Sequence, residues 1–345
     1  MGADRAWWFG RSSKPRWRRL RRLRWVRFPH APATSPLPPR HALTTLVILN
    51  PAAGHGRSAR FRDEVLRGAQ AQWGEVELIL TTGPGHATEL ARTVGIAVER
   101  VIAVGGDGTV HEVANGLMAR DIEARPPLGV VPVGTGNDFA KMTLTASLAP
   151  GAAVAALASG AIRRFDVGEA WGEYFVNSLG IGLDADVARR VNEYKHWPGA
   201  LGYVVAALQA VVHRRALQLQ IDVDETSWSA LTTVLEIGIG PCAGGVFYLV
   251  PDARPDDGLL DVCAVGTFGW RFLLTKAPLV LSGKHTRLKE VRMARGQRVL
   301  VTSADGPLTA HFDGELRSPG RDSLEVSLHR GALPVLAATD SGQAS

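Results

Sequence analysis

From Thr44 onward the chain alternates short β-branched runs with amphipathic stretches. Leu46 to Leu49 reads as a buried strand that stops at Asn50-Pro51, and Arg57 to Gln72 has helical spacing. Val76 to Leu80, Val101 to Val104 and Leu128 to Val131 read as three further strands, with helices from about His86 to Val94 and from Thr109 to Ala119 between them. Strand and helix alternate through residues 44–162, which predicts an α/β domain with a parallel sheet and helices on its faces. After about Arg163 the pattern shifts to strands at short spacing: Tyr174 to Leu179, Leu217 to Val223, Ala230 to Ile239, Leu259 to Val265, Gln297 to Ser303, Leu308 to Phe312 and Leu324 to Leu328. Residues 163–329 are therefore expected to form an antiparallel sandwich or open barrel, interrupted by a helix around Gly199 to His213, with the segment 330–337 free to return to the first domain.

Composition narrows the class. With 345 residues, 46% hydrophobic and 21% charged, the chain has enough apolar surface for more than one core, which excludes a disordered, coiled-coil or collagen-like protein. The formal charge is +6, but residues 1–40 hold eleven Arg or Lys against Asp4 alone. Subtracting that +10 leaves −4 for residues 41–345, so the body is mildly acidic. Residues 1–43 read as a basic arm in which Arg is interleaved with Trp7, Trp8, Trp17 and Trp25 ahead of a Pro-rich stretch. Such an arm suits anionic lipid headgroups; nucleic acid is the other polyanion it could meet, and a disordered tail, or upstream codons translated from a start site placed too early, is the bland reading. No apolar run with a small-residue cleavage site follows the basic start, so a secretory signal is not expected. Cys242 and Cys263 match no metal-ligand spacing and read as buried thiols of a reducing compartment.

Chemistry concentrates where the four predicted strands end. Asn50-Pro51-Ala52-Ala53-Gly54, Thr81-Thr82-Gly83-Pro84-Gly85, Gly105-Gly106-Asp107-Gly108-Thr109 and Gly134-Thr135-Gly136-Asn137-Asp138 follow the strands in order. Glycine lets backbone N–H groups approach phosphate oxygens, and helix N-termini favour anions. Turn sterics explain one such loop, but four on one sheet edge point to a polyphosphate site. Walker, H-R-D and D-F-G motifs are absent, which excludes P-loop enzymes and protein kinases.

Together these motifs resemble the diacylglycerol kinase catalytic-domain family of lipid kinases, which includes bacterial diacylglycerol kinases, sphingosine kinases and ceramide kinases. The resemblance rests on N-P-x-x-G at Asn50–Gly54, G-G-D-G-T followed by V-H-E at Gly105–Glu112, G-T-G-N-D-F at Gly134–Phe139, P-x-A-x-x-D-D-G-x-L-D at Pro251–Asp261, and D-G-E at Asp313–Glu315. It covers residues 44 to 336 and implies a first domain like those of NAD kinase and 6-phosphofructokinase. It further implies ATP held by Asn50, Pro51, Ala52, Ala53, Gly54, Thr81, Gly106, Asp107, Gly108, Thr109, Val110, His111, Glu112 and Thr135. By the same resemblance Asp107 and Asp138 organise Mg²⁺, and Glu315 is the base that takes the lipid hydroxyl's proton. A second Mg²⁺ would lie among Arg254, Asp257 and Leu259.

The implied activity is transfer of the ATP γ-phosphate to a lipid hydroxyl at the cytoplasmic membrane face, with diacylglycerol the first acceptor and no nucleic-acid partner. A sphingoid-base kinase and NAD kinase are the alternatives; G-T-G-N-D and the late D-G-E speak against NAD kinase. A non-catalytic regulator would be expected to have lost Asp107 or Glu315. Oligomeric state stays open, a homodimer included. Two positions depart from the ordinary reading: residue 111 is His where many members carry Asn, and Lys141 stands three residues after Asp138, either as an exposed helix lysine or facing an anionic headgroup.

Overall fold

The computed structural model describes residues 44–144, 148–183, 185 and 216–339. The basic arm and the helix expected around Gly199–His213 lie outside these residues.

Strands β1 (Thr44–Leu49), β2 (Val76–Leu80), β3 (Val98–Gly105) and β4 (Leu128–Pro132) form the parallel part of the sheet in the order β2-β1-β3-β4. Val47, Ile48, Leu49, Val101, Ile102, Val104, Leu128 and Val131 are all fully buried, as near-continuous apolar strands must be when helices cover both faces. The helices are α1 (Arg62–Trp73), α2 (His86–Arg92), α3 (Asp107–Met118), α4 (Asp138–Thr143) and α5 (Pro150–Ala158). On α1 only Val65 and Ala69 are buried, one helical turn apart, whereas α3 buries Val110, Val113, Ala114 and Leu117. Helices α2 and α3 touch at Gly116, where a Cβ would stand 2.3 Å from the Thr88 carbonyl oxygen. Register aligns the strand ends: Leu49 pairs with Leu80 and with Val104, and Val104 pairs with Val131. The four glycine loops therefore leave the sheet along one edge.

The remaining strands are β5 (Ala161–Ala170), β6 (Glu173–Phe175), β7 (Ser178–Gly182), β8 (Leu217–Val223), β9 (Thr226–Gly238), β10 (Leu260–Gly266), β11 (Val291–Gly296), β12 (Arg298–Ser303), β13 (Ala310–Phe312), β14 (Glu315–Arg317) and β15 (Ser323–Ala337), with helix α6 (Trp270–Leu281) before β11. Their pairings are antiparallel apart from one parallel contact, Val335 with Leu128, through which β15 meets β4. Strand β15 pairs with β12 at its start and with β5 along most of its length. Phe165, Val167, Leu333 and Val335 pack into the core of the parallel sheet. Leu219, Ile221, Leu235, Ile237, Val299, Phe312 and Val326 belong to a second core.

Two expected strands differ. The Tyr174–Leu179 run is cut at Val176-Asn177, because the Asp313 carboxylate takes the N–H groups of Val176, Asn177 and Ser178 and pulls that backbone out of the ladder. The run Leu324–Leu328 continues to Ala337 across a register shift at Gly331, whose backbone is left-handed and whose N–H donates to Asp166 at 2.7 Å. Strand β5 has no counterpart among the expected elements, because Arg163, Arg164, Asp166 and Glu169 alternate with or flank Phe165 and Val167 and break the apolar run that marks a buried strand.

Candidate active site

The four loops are tied to one another before any ligand is considered. Asn50 donates from Nδ2 to Thr109 Oγ1 at 3.0 Å and accepts the Ala52 N–H on Oδ1 at 3.0 Å, joining the first loop to the third. Gly54 is left-handed, and a Cβ there would lie 2.2 Å from the Val133 carbonyl oxygen. A Cβ on Gly134 would lie 2.5 Å from Gly106 Cα, so the third and fourth loops meet backbone to backbone. Asn137, also left-handed, closes the fourth loop by accepting the Gly134 N–H and donating to its carbonyl. Thr81 follows β2 on the same edge with its N–H on the Leu49 carbonyl.

Two carboxylates stand at the N-termini of the helices that leave this edge. Asp107 begins α3 and Asp138 begins α4, and the Oδ2 atoms of both come within 3.4 Å of the point a Cβ would occupy on Gly136. Asp107 accepts the Phe139 N–H at 3.2 Å; burial and the neighbouring Asp138 push its carboxyl up to about 7. Asp138 is 6% exposed and accepts the Gly245 N–H on both oxygens at 3.0 Å. Lys141 reaches back one turn to Asp138 at 2.7 Å, to the Gly245 carbonyl at 2.6 Å and to Cys242 Sγ at 3.3 Å. Lys141 is thus the counter-ion that clamps the segment Cys242–Gly245 onto the fourth loop. Burial alone would lower its ammonium, and the bond to Asp138 more than offsets that. Neither sequence reading of Lys141 anticipated this partner.

The late motif arrives as a hairpin. Asp313 and Gly314 both have positive φ and form a two-residue turn between β13 and β14, with Glu315 as the first residue of β14. Glu315 is exposed, and its Oε1 comes within 3.3 Å of the position a Cβ would take on Gly108, in the first turn of α3. Asp313 faces inward: besides the three backbone N–H groups of residues 176–178 it meets His111 Nδ1 at 2.9 Å. His111, 4% exposed, meets Glu173 with its Nε2 at 2.9 Å, and Arg317 grips the same glutamate with two nitrogens at 2.5 Å. Burial opposes charge on the imidazole, but Asp313 and Glu173 outweigh it and push His111 up to about 9.

Among the residues implied to hold nucleotide, Asn50, Gly54, Gly106, Gly108 and Thr135 lie on the loop edge, with Pro51, Ala52 and Ala53 in the first turn. Thr109 is buried against Asn50, and Val110 is core. The side chains of His111 and Glu112 are committed elsewhere, His111 to two carboxylates and Glu112 to the Ala87 N–H at the start of α2. Both ring nitrogens of His111 therefore already have carboxylate partners, Asp313 on Nδ1 and Glu173 on Nε2.

A hard cation beside a polyphosphate is commonly held by one or two carboxylates plus phosphate oxygens and water. The paired oxygens of Asp107 and Asp138 around Gly136, with Asp107 short of positive neighbours, fit that chemistry. The second implied set fits less well. Asp257 accepts the Leu259 N–H at 3.1 Å and is ion-paired to Arg295, which also reaches Asp261 at 2.9 Å. Both oxygens of Asp257 thus already have partners, the Leu259 N–H on Oδ1 and the Arg295 guanidinium on Oδ2. Among the described residues no group of three or more His, Cys, Asp or Glu is arranged to hold a metal. No described helix is long and apolar enough to cross a membrane.

Backbone amides, paired carboxylates and a glutamate hairpin converge on one sheet edge, as phosphoryl transfer demands, and the class this defines is a kinase. Within that class, the chain belongs to the diacylglycerol kinase family of lipid kinases. The family model of the diacylglycerol kinase catalytic domain matches residues 44–170, and that of the YegS C-terminal NAD kinase beta sandwich-like domain matches residues 177–337. A diacylglycerol kinase of Bacillus subtilis is 28% identical over 271 residues, covering 78% of this chain and 88% of the relative. A Xanthomonas campestris protein named "Probable lipid kinase YegS-like" is 31% identical over 251 residues, 70% of this chain and 80% of its own. The crystal structure of a diacylglycerol kinase from Bacillus anthracis superposes with a TM-score of 0.66 at 20% identity, covering 86% of this chain and 97% of that one, and supports the fold.

Proposed function

We propose that this lipid kinase transfers the γ-phosphate of ATP, with Mg²⁺, to the free hydroxyl of diacylglycerol, yielding phosphatidic acid and ADP. The observation that carries the reading is the position of Glu315: its Oε1 comes within 3.3 Å of the point a Cβ would take on Gly108, the residue after Asp107 in the first turn of α3. From there it would accept the acceptor hydroxyl's proton as the oxygen attacks the γ-phosphorus and the bond to the β–γ bridging oxygen breaks. Backbone amides of the four loops cradle the phosphates, and Asp107 with Asp138 would hold the cation, which when bound neutralises charge on the β- and γ-oxygens. Diacylglycerol is preferred over sphingoid bases and NAD because the Bacillus subtilis relative is named a diacylglycerol kinase.

Incubation of the protein with labelled ATP, Mg²⁺ and, separately, diacylglycerol, sphingosine and NAD tests this. Label is expected in phosphatidic acid alone, and a folded Asp107→Ala protein is expected to transfer none. Label in a sphingoid phosphate or in NADP would move the acceptor; near-normal transfer by folded Asp107→Ala would remove the assignment of the loop edge.

A further inference from the structure

We propose that the turn Ala243–Tyr248, together with the end of α6 and the 3-10 turn that follows it, is the face by which the folded body docks on an anionic lipid bilayer. Ala243 and Phe247 exchange both backbone hydrogen bonds, at 2.8 and 3.0 Å, and close a tight loop in which Gly244 and Gly245 are left-handed. At its root Gly245 donates to Asp138 and accepts from Lys141, so the loop is fixed to the kinase edge. Its outer side is apolar in alternation: Val246 is 46% exposed and Tyr248 37%. Tyr248 donates its N–H to the Val280 carbonyl at 3.1 Å, which places Leu281, 49% exposed at the end of α6, beside the loop. The 3-10 turn Lys284–Arg287 packs on the same strip, with His285 bonded to the Leu249 carbonyl.

The charge around these apolar groups chooses the occupant. From residue 276 to 290 the chain carries Lys276, Lys284, Arg287 and Lys289 against Glu290 alone, which lies 3.9 Å from Lys289, in a body whose formal charge is −4. All four cations are exposed. Tyr and short aliphatic side chains on a strip that also carries the exposed Lys284 and Arg287 match the boundary between headgroups and acyl chains, where a tyrosine can keep its hydroxyl wet. A bilayer is also where the acceptor class proposed above resides, and the loop's root at Asp138 puts that surface next to the transfer edge.

A polarity-sensitive NBD label on Val246→Cys in the full chain tests the proposal; Cys242 and Cys263 are buried, and the unsubstituted protein treated identically gives the background to subtract. On adding mixed phosphatidylglycerol/phosphatidylcholine vesicles, without ATP, the emission is expected to shift to the blue and brighten. The same label at Ile96, 98% exposed at the opposite edge of the sheet, is expected not to respond. Lys284→Glu with Arg287→Glu is expected to weaken vesicle binding at low salt about tenfold or more, leaving turnover on detergent-dispersed diacylglycerol unchanged. A silent label on protein that sediments with vesicles would overturn the proposal, as would a blue shift without vesicles that grows with protein concentration, the signature of a second copy. The label needs no turnover, so a lack of phosphate transfer to diacylglycerol would strike the acceptor reading and leave the docking result standing.

Discussion

His111 Nδ1 and Asp313 Oδ2 stand 2.9 Å apart across 202 residues of sequence, and that contact fastens α3 of the parallel sheet to the hairpin that presents Glu315. Both partners are almost wholly buried. Removing one side of such a pair leaves the other charge buried and uncompensated, which costs roughly 3 kcal/mol. His111→Ala is expected to lower unfolding stability by about that amount in urea titration, and a variant as stable as the parent would show that Asp313 is held by its three backbone N–H donors alone.

The same contact makes stability depend on pH on the alkaline side. The folded protein holds His111 at about 9, whereas the unfolded chain has it near ~6.5. Because the folded value is the higher, the stabilisation is complete below ~6.5 and is lost as pH rises through about 9, on the order of 3 kcal/mol in all. Denaturation followed across that window should show the decline in the parent and a flatter profile in His111→Ala; parallel profiles would assign the decline to other groups.

How much of this was readable beforehand follows from the range of each interaction. The loops after Leu49, Leu80, Val104 and Val131 were legible, because a buried parallel strand and its Gly-rich turn are written in adjacent residues. The cut at Val176-Asn177 was not, since it is made by Asp313, well over a hundred residues later. The roles of Glu173, Arg317 and Lys141 were hidden for the same reason: each finds its partner, or the segment it clamps, through the fold. His111 was noticed for its residue type, yet only the structure shows two carboxylates at its ring.

Glu315→Gln keeps the size and polarity of the side chain at the first turn of α3 but removes its basicity. A positioned base is worth roughly 10²–10⁴ in rate, so kcat should fall by that factor while nucleotide affinity, read by direct titration, stays close to the parent value. Lost nucleotide binding with kcat preserved would transfer Glu315 from the acceptor side to the nucleotide side.

Lys141→Met leaves the buried Asp138 without its cation and frees the Gly245 carbonyl and Cys242 Sγ. Charged hydrogen bonds of this kind contribute about 1.5–3 kcal/mol each in favourable settings, and here the lysine is partly exposed, so about 1–2 kcal/mol is expected for the local clamp. Cys242 is 2% exposed, so its reaction with a thiol reagent reports opening of the segment, and Cys263 serves as the internal control. Faster modification of Cys242 with Cys263 unchanged is expected; equal rates in parent and variant would mean that Lys141 does not hold the loop.

Gly136→Ala probes the space between the two site carboxylates directly. A Cβ there would come 3.0 Å from Asp107 Oδ2 and 3.4 Å from Asp138 Oδ2, while the nearest backbone atom, Gly245 N, is 3.5 Å away. The contacts fall on the carboxylate ends, and the backbone of Gly136 is outside the left-handed region, so the fold should tolerate the methyl with a change below about 1 kcal/mol. What the methyl removes is the point that both oxygens share, the place where a hard cation would find them together. In the parent, Mg²⁺ with a non-hydrolysable ATP analogue should raise the melting temperature by mass action, and in Gly136→Ala that rise should be largely lost together with phosphate transfer. If the alanine protein keeps the full Mg²⁺-dependent rise, the cation is held away from Gly136, and Asp107 and Asp138 serve the loop edge as structural carboxylates instead.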